Sequence, residues 1–403
     1  MSSSLSASAL PPKGRARARA WLQNLALLVL ASLITLAAIE GAVRLTGPWV
    51  LLPVPGLHVP DPVLHHVLAP NFEAVVESGE WAYAVRTNSI GMRDREYGAK
   101  ASDEFRVLML GDSFIYGTGV DIEDSFLRHL ESLLMKAAAG KRIVVMNGGI
   151  EGSGTDRELV YLRTKGQALR PDLVLTGMYP GNDFADNRLG TIIPFDPSRA
   201  EDAARSPART APRRDASPGF DEWLRSKLQS YKLLREKLYI VAARFGLKTP
   251  YLADLGFFAE CARGDPRGRL LLDHTVALLR GISEQAARTG ARSAVFIIPV
   301  RAQVYTELAR RPAIYYGLEP DDRFLTLPSR LLSEGLAREA VPCLDLLPAF
   351  RAAAARSGPL YFERDVHWTP EGHRVAAEAL AAFVTEEGLL SGTPPAPSSN
   401  ARP

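Results

Sequence analysis

From residue 101 onward, short apolar runs alternate with longer amphipathic stretches. Runs that are apolar throughout are typical of parallel strands covered on both faces, whereas apolar positions three and four apart are typical of helices. Alternation of the two predicts an α/β protein, a three-layer α/β/α sandwich around a five-stranded parallel sheet. The predicted strands are 107–110, 143–146, 173–177, 294–298 and 341–344, and the predicted helices lie near 122–138, 155–169, 271–289, 327–339 and 370–388.

A different pattern occupies the N-terminus, where residues 20–39 carry no charge. A helix rises about 1.5 Å per residue, so this run is about 30 Å long, enough to cross the hydrocarbon core of a bilayer. Basic residues precede it, which predicts a cytoplasmic N-terminus and a chain that is otherwise outside. A cleaved signal peptide is the alternative, although 35–37 (Thr-Leu-Ala) is the nearest approach to a cleavage site. The basic positions are Lys13, Arg15, Arg17 and Arg19.

The remaining segments do not repeat the strand–helix pattern. Residues 45–65 are rich in proline and predict an extended connector, and alternation at 81–85 predicts a short strand. A stretch rich in Ala, Arg, Pro and Ser at 197–219 predicts a loop, followed by one or two helices in 221–258. The resulting division is a basic cytoplasmic tail at 1–19, a transmembrane helix at 20–39, a connector and β-rich preface at 45–100, a catalytic domain at 101–390 with an insertion at 190–260, and a disordered tail at 391–403.

Composition narrows the functional classes only slightly. The net charge of +3 gives no reason to expect a nucleic-acid partner. Two cysteines, Cys261 and Cys343, cannot form a disulfide framework. Cys343 lies in an apolar run and is interpreted as a small buried hydrophobic residue, while a bridge between the two stays open because a sequence does not position the sulfur atoms.

Ser113 is the first candidate for chemistry. It lies in Gly111-Asp112-Ser113, directly after the first predicted strand of the sheet, and a glycine-bearing loop follows it. Ligands of parallel sheets bind at the carboxyl ends of strands, so a serine there can expose its hydroxyl to a substrate. The alternative is a serine that caps the next helix.

Two further motifs follow the next two strands. Asn147-Gly-Gly-Ile-Glu-Gly152 follows the second, and glycine allows the backbone to approach a bound group and direct an N–H towards it. Gly181-Asn182-Asp183 follows the third, and the amide of Asn182 can donate to a developing oxyanion. Each of these motifs alone is also compatible with an ordinary turn.

The fourth motif, Asp365-Val-His367-Trp, precedes the last predicted helix. In an extended segment, residues two apart face the same way, so Asp365 can hold His367 at Nδ1 while Nε2 faces Ser113. These are the roles of nucleophile, base and orienting acid in an acyl-transfer triad. Glu363 is the rival orienting residue. A metal site made of Asp365, His367 and His373 is the alternative use of these side chains, and no cofactor motif such as a phosphate-binding glycine loop is present in the sequence.

Together the four motifs resemble those of the SGNH, or GDSL, hydrolase superfamily, over about residues 100–390. The resemblance implies a flavodoxin-like sheet, no cofactor, and an oxyanion hole made of the Ser113 N–H, the Gly152 N–H and the Asn182 side chain. One feature departs from the commonest pattern, which has Asp three residues before His. The block Asp365-x-His367-Trp is instead similar to that of alginate O-acetyltransferases and related envelope enzymes.

The sequence thus predicts an extracytoplasmic serine esterase that removes short acyl groups from an envelope glycan or lipid. The first alternative is an O-acyltransferase that modifies exported polysaccharide and receives acyl groups from a membrane protein. The second alternative is a non-catalytic glycan-binding protein. Water and a sugar hydroxyl attack the same acyl-enzyme, so the motifs do not separate the first two.

Overall fold

The computed structural model describes residues 12–45, 54–78, 80–138, 140–192, 228, 230–231, 255–319, 321–363 and 365–390. The predicted loop at 197–219, nearly all of the helices predicted in 221–258 and the tail at 391–403 lie outside these ranges. Contacts divide the chain into two compact units. One contains the N-terminal helix together with Ala216–Lys248, and the other, Val54–Asp215 with Thr249–Pro403, carries the central sheet.

Five parallel strands form the central sheet, which confirms the predicted fold class. Their order across the sheet is β6-β5-β7-β8-β9. Within this sheet β5 comes first in the chain. The next strand, β6, pairs with one edge of β5, and the following strand, β7, pairs with its other edge, so the direction of the connections reverses at β5. Binding sites of open α/β sheets lie at such a switch point, outside the carboxyl ends of the strands. The strands are β5 (Glu104–Gly111), β6 (Arg142–Gly149), β7 (Leu173–Met178), β8 (Arg292–Ile297) and β9 (Cys343–Asp345).

Alternate strand residues pack on opposite faces of this sheet. Along β5, Val107 and Met109 belong to one buried cluster, while Leu108 and Leu110 belong to the other. Because both clusters are apolar, the strands read as continuous hydrophobic runs in the sequence. One face is covered by α3 (Phe126–Ala137), α11 (Leu347–Ala354) and α12 (Pro370–Glu386), and the other by α4 (Thr155–Thr164), α7 (Pro266–Arg288) and α10 (Asp322–Arg338).

Shorter helices connect these elements, mostly near the carboxyl ends of the strands. Two of them carry parts of the candidate site. Helix α2 follows closely on β5 and begins at Ser113, and α5 follows β7 and begins at Asp183 of the third motif. The short helices are α2 (Ser113–Tyr116), α5 (Asp183–Ile192), α6 (Gly256–Ala262), α8 (Arg301–Val304) and α9 (Arg310–Tyr316), with 3₁₀ turns at Ile122–Asp124, Gly166–Leu169 and Thr306–Ala309.

Helix α12 positions the last motif because its start is fixed by the sequence. Pro370 is its first residue, where the missing N–H of proline costs no hydrogen bond. The Thr369 hydroxyl accepts a hydrogen bond from the Gly372 N–H at 3.3 Å, which caps the first turn. On the other side of Thr369, Trp368 is fully buried. The segment that carries Asp365 and His367 is therefore anchored at its C-terminal end.

Two antiparallel hairpins precede the sheet. β1 (His58–Asp61) pairs with β2 (His65–Leu68), and β3 (Glu73–Glu77) pairs with β4 (Ala82–Arg86). The strand expected at 81–85 corresponds to β4. The first hairpin begins inside the stretch 45–65, for which the sequence indicates only an extended connector. Side chains of this region form a small cluster with Tyr116 of α2: Leu57, Leu68, Val76, Trp81, Tyr83 and Val85.

The N-terminal unit contains one long helix, α1 (Pro12–Leu45). Within it, Arg19–Ala42 has a mean hydropathy of 2.2 and is long and apolar enough to cross a membrane. Among the described residues it is the one helix that meets this criterion, which a signal sequence of the same length and composition also meets.

Candidate active site

A sharp turn after β5 presents Ser113. Gly111 ends the strand at a φ of 151°, and a Cβ there would lie 2.2 Å from the Ile115 side chain, so only glycine fits. Asp112 then caps α2 by accepting the Phe114 N–H at 2.9 Å. Ser113 is the first residue of that helix, and the next two residues, Phe114 and Ile115, are buried in the core.

His367 lies opposite this serine. Its Nε2 is 2.7 Å from the Ser113 Oγ, and its Nδ1 is 2.5 Å from the Asp365 Oδ1. The structure thus brings the three predicted residues of the triad together, although the nucleophile and the base are 254 residues apart in the chain. Glu363, the rival orienting residue, is exposed to solvent.

The contact between Asp365 and His367 does not arise from an extended strand, as expected from the sequence, but from a bend. The Asp365 Oδ1 accepts the backbone N–H of His367 at 2.9 Å as well as its ring. This is the local turn that aspartate side chains form with the N–H two residues on. Around it, Tyr361 pairs with Trp368, and the Phe362 N–H donates to the His367 carbonyl at 3.1 Å. The backbone N–H and the backbone carbonyl of His367 are therefore both hydrogen-bonded, which fixes the residue that carries the imidazole.

Charges at the site keep the base and its partner paired. Burial acts to lower the pKa of His367, but the hydrogen bond and charge of Asp365, with the charges of Asp112 and Glu151, outweigh it and raise that pKa. Burial likewise acts to raise the pKa of Asp365, but the hydrogen bond and charge of His367 hold it below its usual value. Asp365 is therefore a carboxylate over the whole range in which His367 titrates.

Two backbone N–H groups of the predicted oxyanion hole have no protein acceptor among the described residues. In the described part of the chain, neither the Ser113 N–H nor the Gly152 N–H donates to another protein group. Gly152 has a φ of 68°, and a Cβ at this position would meet nothing within 4 Å. Its N–H therefore belongs to a loop with open space beside it, as an oxyanion donor requires.

Asn182 is placed differently from the expected oxyanion donor. Its amide nitrogen donates to the Asp112 Oδ2 and to the Asp186 Oδ2, both at 3.1 Å. Its Oδ1 is buried and has no hydrogen-bond partner among the described residues. Both amide hydrogens are thus already engaged by carboxylates, and Asn182 can serve an oxyanion only if one of them turns towards it.

The turn-like stretch Asn88-Ser-Ile-Gly-Met-Arg-Asp94, which lies between the hairpins and the sheet, supplies a residue that the sequence did not assign to the site. Arg93 is fully buried and donates to the carbonyl oxygens of Ala84, Tyr116, Gly117 and Val120 at 2.7 to 3.0 Å. Its guanidinium also lies 4.9 Å from the centre of the Tyr116 ring. Arg93 therefore ties the loop after Ser113 to β4, and a basic residue beside a turn motif is the only signal of this role in the sequence.

His373 does not join the other two candidate metal ligands. It is buried on the first turn of α12, where its Nδ1 accepts the Phe126 N–H at 3.2 Å. Burial lowers the pKa of His373 to about 3, so the ring is neutral. Among the described residues no three His, Cys, Asp or Glu side chains are grouped as a metal would require. Cys261 and Cys343 are both free thiols.

Comparison with known proteins confirms the resemblance to the SGNH group. Residues 257–400 match the family model described as an SGNH hydrolase-like domain, acetyltransferase AlgX. A probable alginate O-acetylase AlgJ of Pseudomonas putida is 36% identical over 129 residues, which are 31% of this chain and 31% of that protein. The AlgJ of Pseudomonas aeruginosa is 30% identical over 128 residues, 31% of this chain and 30% of its own. The chain thus matches less than a third of the length of these relatives.

Solved structures give a more distant likeness. A putative lipolytic protein of the G-D-S-L family from Desulfitobacterium hafniense aligns with 69% of this chain and 98% of its own, at 11% identity and a TM-score of 0.37. A catalytic mutant of Axe2, an acetylxylan esterase from Geobacillus stearothermophilus, aligns with 72% of this chain and 96% of its own, at 13% identity and a TM-score of 0.36. Scores of this size add nothing to the sheet order described above.

Proposed function

We propose that this chain, which carries an SGNH hydrolase-like domain, is an O-acyltransferase that moves short acyl groups onto a polysaccharide through an acyl-enzyme on Ser113. The observation that carries the proposal is the Ser113–His367–Asp365 arrangement, with contacts of 2.7 and 2.5 Å. A serine hydroxyl is a weak nucleophile until a neighbouring base takes its proton. The geometry supplies that base and a carboxylate to orient it.

In the first half-reaction, the Ser113 Oγ attacks the acyl carbonyl carbon while His367 Nε2 takes its proton. Asp365 holds the Nδ1–H and stabilises the imidazolium that forms. The Ser113 and Gly152 N–H groups stabilise the developing oxyanion. The Asn182 amide becomes the third donor when one of its hydrogens turns from Asp112 or Asp186 towards the oxyanion. His367 then gives its proton to the leaving group, and the acyl-enzyme remains.

In the second half-reaction, an acceptor hydroxyl attacks the same carbonyl carbon. His367 takes the hydroxyl proton and returns it to the Ser113 Oγ as the bond between that oxygen and the acyl carbon breaks. A sugar hydroxyl gives transfer, and water gives hydrolysis. The sequence alone favours the esterase, but the relatives are named O-acetylases, which supports transfer. Hydrolysis is the second candidate function.

The site of action follows from helix α1. A basic start before Arg19–Ala42 supports an anchored protein with a cytoplasmic N-terminus and the catalytic unit in the periplasm or outside the cell. Acyl donors such as thioesters are made in the cytoplasm, so this location requires a membrane protein as acyl donor. A reporter fused after Pro403 should be active only outside the cytoplasm, and a cytoplasmic signal would refute this topology.

The test of the function follows the acyl group from p-nitrophenyl acetate. Wild type should release a burst of p-nitrophenol and then acetylate oligosaccharides of a deacetylated bacterial polysaccharide, as detected by mass spectrometry. Ser113→Ala should show no burst and no labelling by a fluorophosphonate, and its rate of acetyl transfer should fall by at least about 10³-fold. Ser102→Ala, at an exposed serine, is the matched control and should behave as wild type. Labelling of Ser113→Ala at the wild-type level would show that Ser113 is not the nucleophile. Free acetate as the sole product would show hydrolysis and would support the esterase instead of the transferase.

A further inference from the structure

A second group of polar side chains lies beside the triad, and the proposed reaction steps use none of them. We call it the Glu151 cluster; its members are His58, His66, Thr118 and Glu151. The Thr118 hydroxyl donates to the Glu151 Oε1 at 3.1 Å, and the His58 Nε2 lies 3.6 Å from the Glu151 Oε2. The His66 Nε2 lies 3.2 Å from the Glu151 carbonyl oxygen. The β1–β2 hairpin thus places two imidazoles over the loop that carries Gly152.

Backbone connections fix this cluster relative to the nucleophile. Glu151 immediately precedes Gly152, one of the two free N–H donors, and the Thr118 N–H donates to the Ser113 carbonyl at 3.0 Å. The charge of Glu151 is also one of those that raise the pKa of His367. Its carboxylate therefore lies within electrostatic range of the base, next to the place where an acyl carbonyl would sit.

The cluster is open on one side. The side chains of His58 and Glu151 are 34% and 25% exposed. Beside them, the space at Gly152 would admit a Cβ without a contact. The exposed side of the cluster therefore presents a carboxylate and an imidazole to solvent.

Glu151 has hydrogen-bonding capacity that its protein partners leave unused. A carboxylate has room for about four acceptor contacts. The one hydrogen bond to this carboxylate in the described residues comes from Thr118, since 3.6 Å to His58 is too long for another. Burial, followed by the charge of His66, lowers the pKa of His58 to about 4, so His58 is neutral and presents one ring N–H. Two adjacent hydroxyl groups would satisfy such a pair, with one donating to Glu151.

We infer that Glu151 and His58 form the acceptor subsite, which binds two hydroxyl groups of a sugar ring and directs one of them at the acyl-enzyme. The inference rests on the proposed transferase function and adds the chemical class of the acceptor, a polyol. In the step itself, the acceptor oxygen bonds to the acyl carbon, His367 takes its proton, and Ser113 regains its hydroxyl. Glu151 takes no proton; it holds the acceptor in place and so favours it over water.

The experiment uses the full chain in detergent, with p-nitrophenyl acetate as donor and methyl glucoside and polysaccharide oligosaccharides as acceptors. The burst of p-nitrophenol reports acyl-enzyme formation, and mass spectrometry gives the ratio of transferred to hydrolysed acetate. At a pH above the pKa of His367, where loss of the Glu151 charge leaves the base unprotonated as before, Glu151→Gln should keep the amplitude of the burst. It should lower this ratio about tenfold, the factor expected for one hydrogen bond to a charged group. Glu77→Gln, at an exposed glutamate on β3, is the control and should leave both quantities unchanged.

Each outcome decides the inference. If wild type transfers acetate and Glu151→Gln keeps its ratio within twofold, Glu151 does not bind the acceptor and the transferase proposal stands. If burst and ratio fall together in a folded variant, Glu151 supports acylation and the inference is wrong. If Glu151→Gln does not fold, His58→Gln, at a half-exposed position, decides by the same ratio. Hydrolysis alone by wild type would overturn the function and the inference together, and this result is seen in the unmutated protein.

Discussion

Replacing Asp365 by asparagine tests the orienting member of the triad. The asparagine Oδ1 can still accept both the ring Nδ1–H and the backbone N–H of His367, so the fold and the imidazole orientation should be kept. What is lost is the negative charge beside the imidazolium that forms in the transition state. Two opposite charges about 4 Å apart interact by about 4 kcal/mol at an effective dielectric constant of about 20.

Loss of most of this energy should lower kcat by about 10²–10³-fold. This is less than the roughly 10⁴-fold known for the same change in a serine protease, because the bend at Asp365 fixes the ring through the backbone as well. The acid limb of the pH profile should also move to lower pH. Asp365 raises the pKa of His367, so its neutral asparagine replacement leaves a base that loses its proton at lower pH.

The assay is kcat on a short-chain p-nitrophenyl ester as a function of pH, with circular dichroism to confirm folding. Glu363→Gln is the matched control and should be unaffected, because Glu363 is exposed. Near-normal kcat for folded Asp365→Asn, or a crippled Glu363→Gln, would refute the reasoning, since the orienting carboxylate would then be another one.

Three further predictions concern stability, measured by urea unfolding. Gly149→Ala should destabilise the protein by about 3 kcal/mol or more, because the new Cβ would lie 2.2 Å from the Tyr116 backbone nitrogen. The control is Gly98→Ala, where a Cβ would meet nothing within 4 Å. Equal stabilities of the two variants would contradict the close contact at Gly149. Arg93→Met should cost about 3 kcal/mol or more, because four hydrogen bonds from a buried guanidinium to carbonyl oxygens are lost, three of them in buried surroundings. A cost below about 1 kcal/mol would show that water replaces the guanidinium. His373 stays neutral in the folded protein down to about pH 3, because its pKa there is about 3, whereas in the unfolded chain it binds a proton below about pH 6.5. As the pH falls from about 6.5 to about 3, wild type should therefore lose more stability than His373→Gln. Parallel plots of stability against pH for the two proteins would contradict this prediction.

The sheet could be predicted because its strands are buried on both faces. The prediction 107–110 falls inside Glu104–Gly111, and 294–298 overlaps Arg292–Ile297. Strand ends were harder to place, as at 341–344, where the strand runs from Cys343 to Asp345, just beyond Pro342. Proline cannot donate to the ladder, so pairing through backbone N–H groups starts after it.

The parts of the candidate site that lie in short local motifs could be predicted from the sequence, and those that depend on contacts between distant residues could not. Ser113 lies in a short motif at a strand end, Asp365 and His367 lie in one just before the last helix, and the structure brings the three together. The pairing of Asn182 with two carboxylates depends on Asp112, 70 residues away in the chain, and has no local signal. The same holds for His66, which meets Glu151 across 85 residues because a hairpin docks on the sheet. The main signal in a sequence is the periodic spacing of apolar residues, and contacts between residues far apart in the chain leave no such spacing.

The separation of 254 residues between Ser113 and His367 has a consequence for biogenesis. A polypeptide is made from its N-terminus, so the strand and turn that carry the serine exist long before the histidine does. Closing so long a loop is also a late event in folding, because its entropy must be overcome before the contact forms. Until the segment from Asp365 onward docks, the serine is an ordinary alcohol. On the proposed mechanism, an unfinished or C-terminally clipped chain therefore cannot acylate itself or consume acyl donors, and reactivity arises only in the completed molecule.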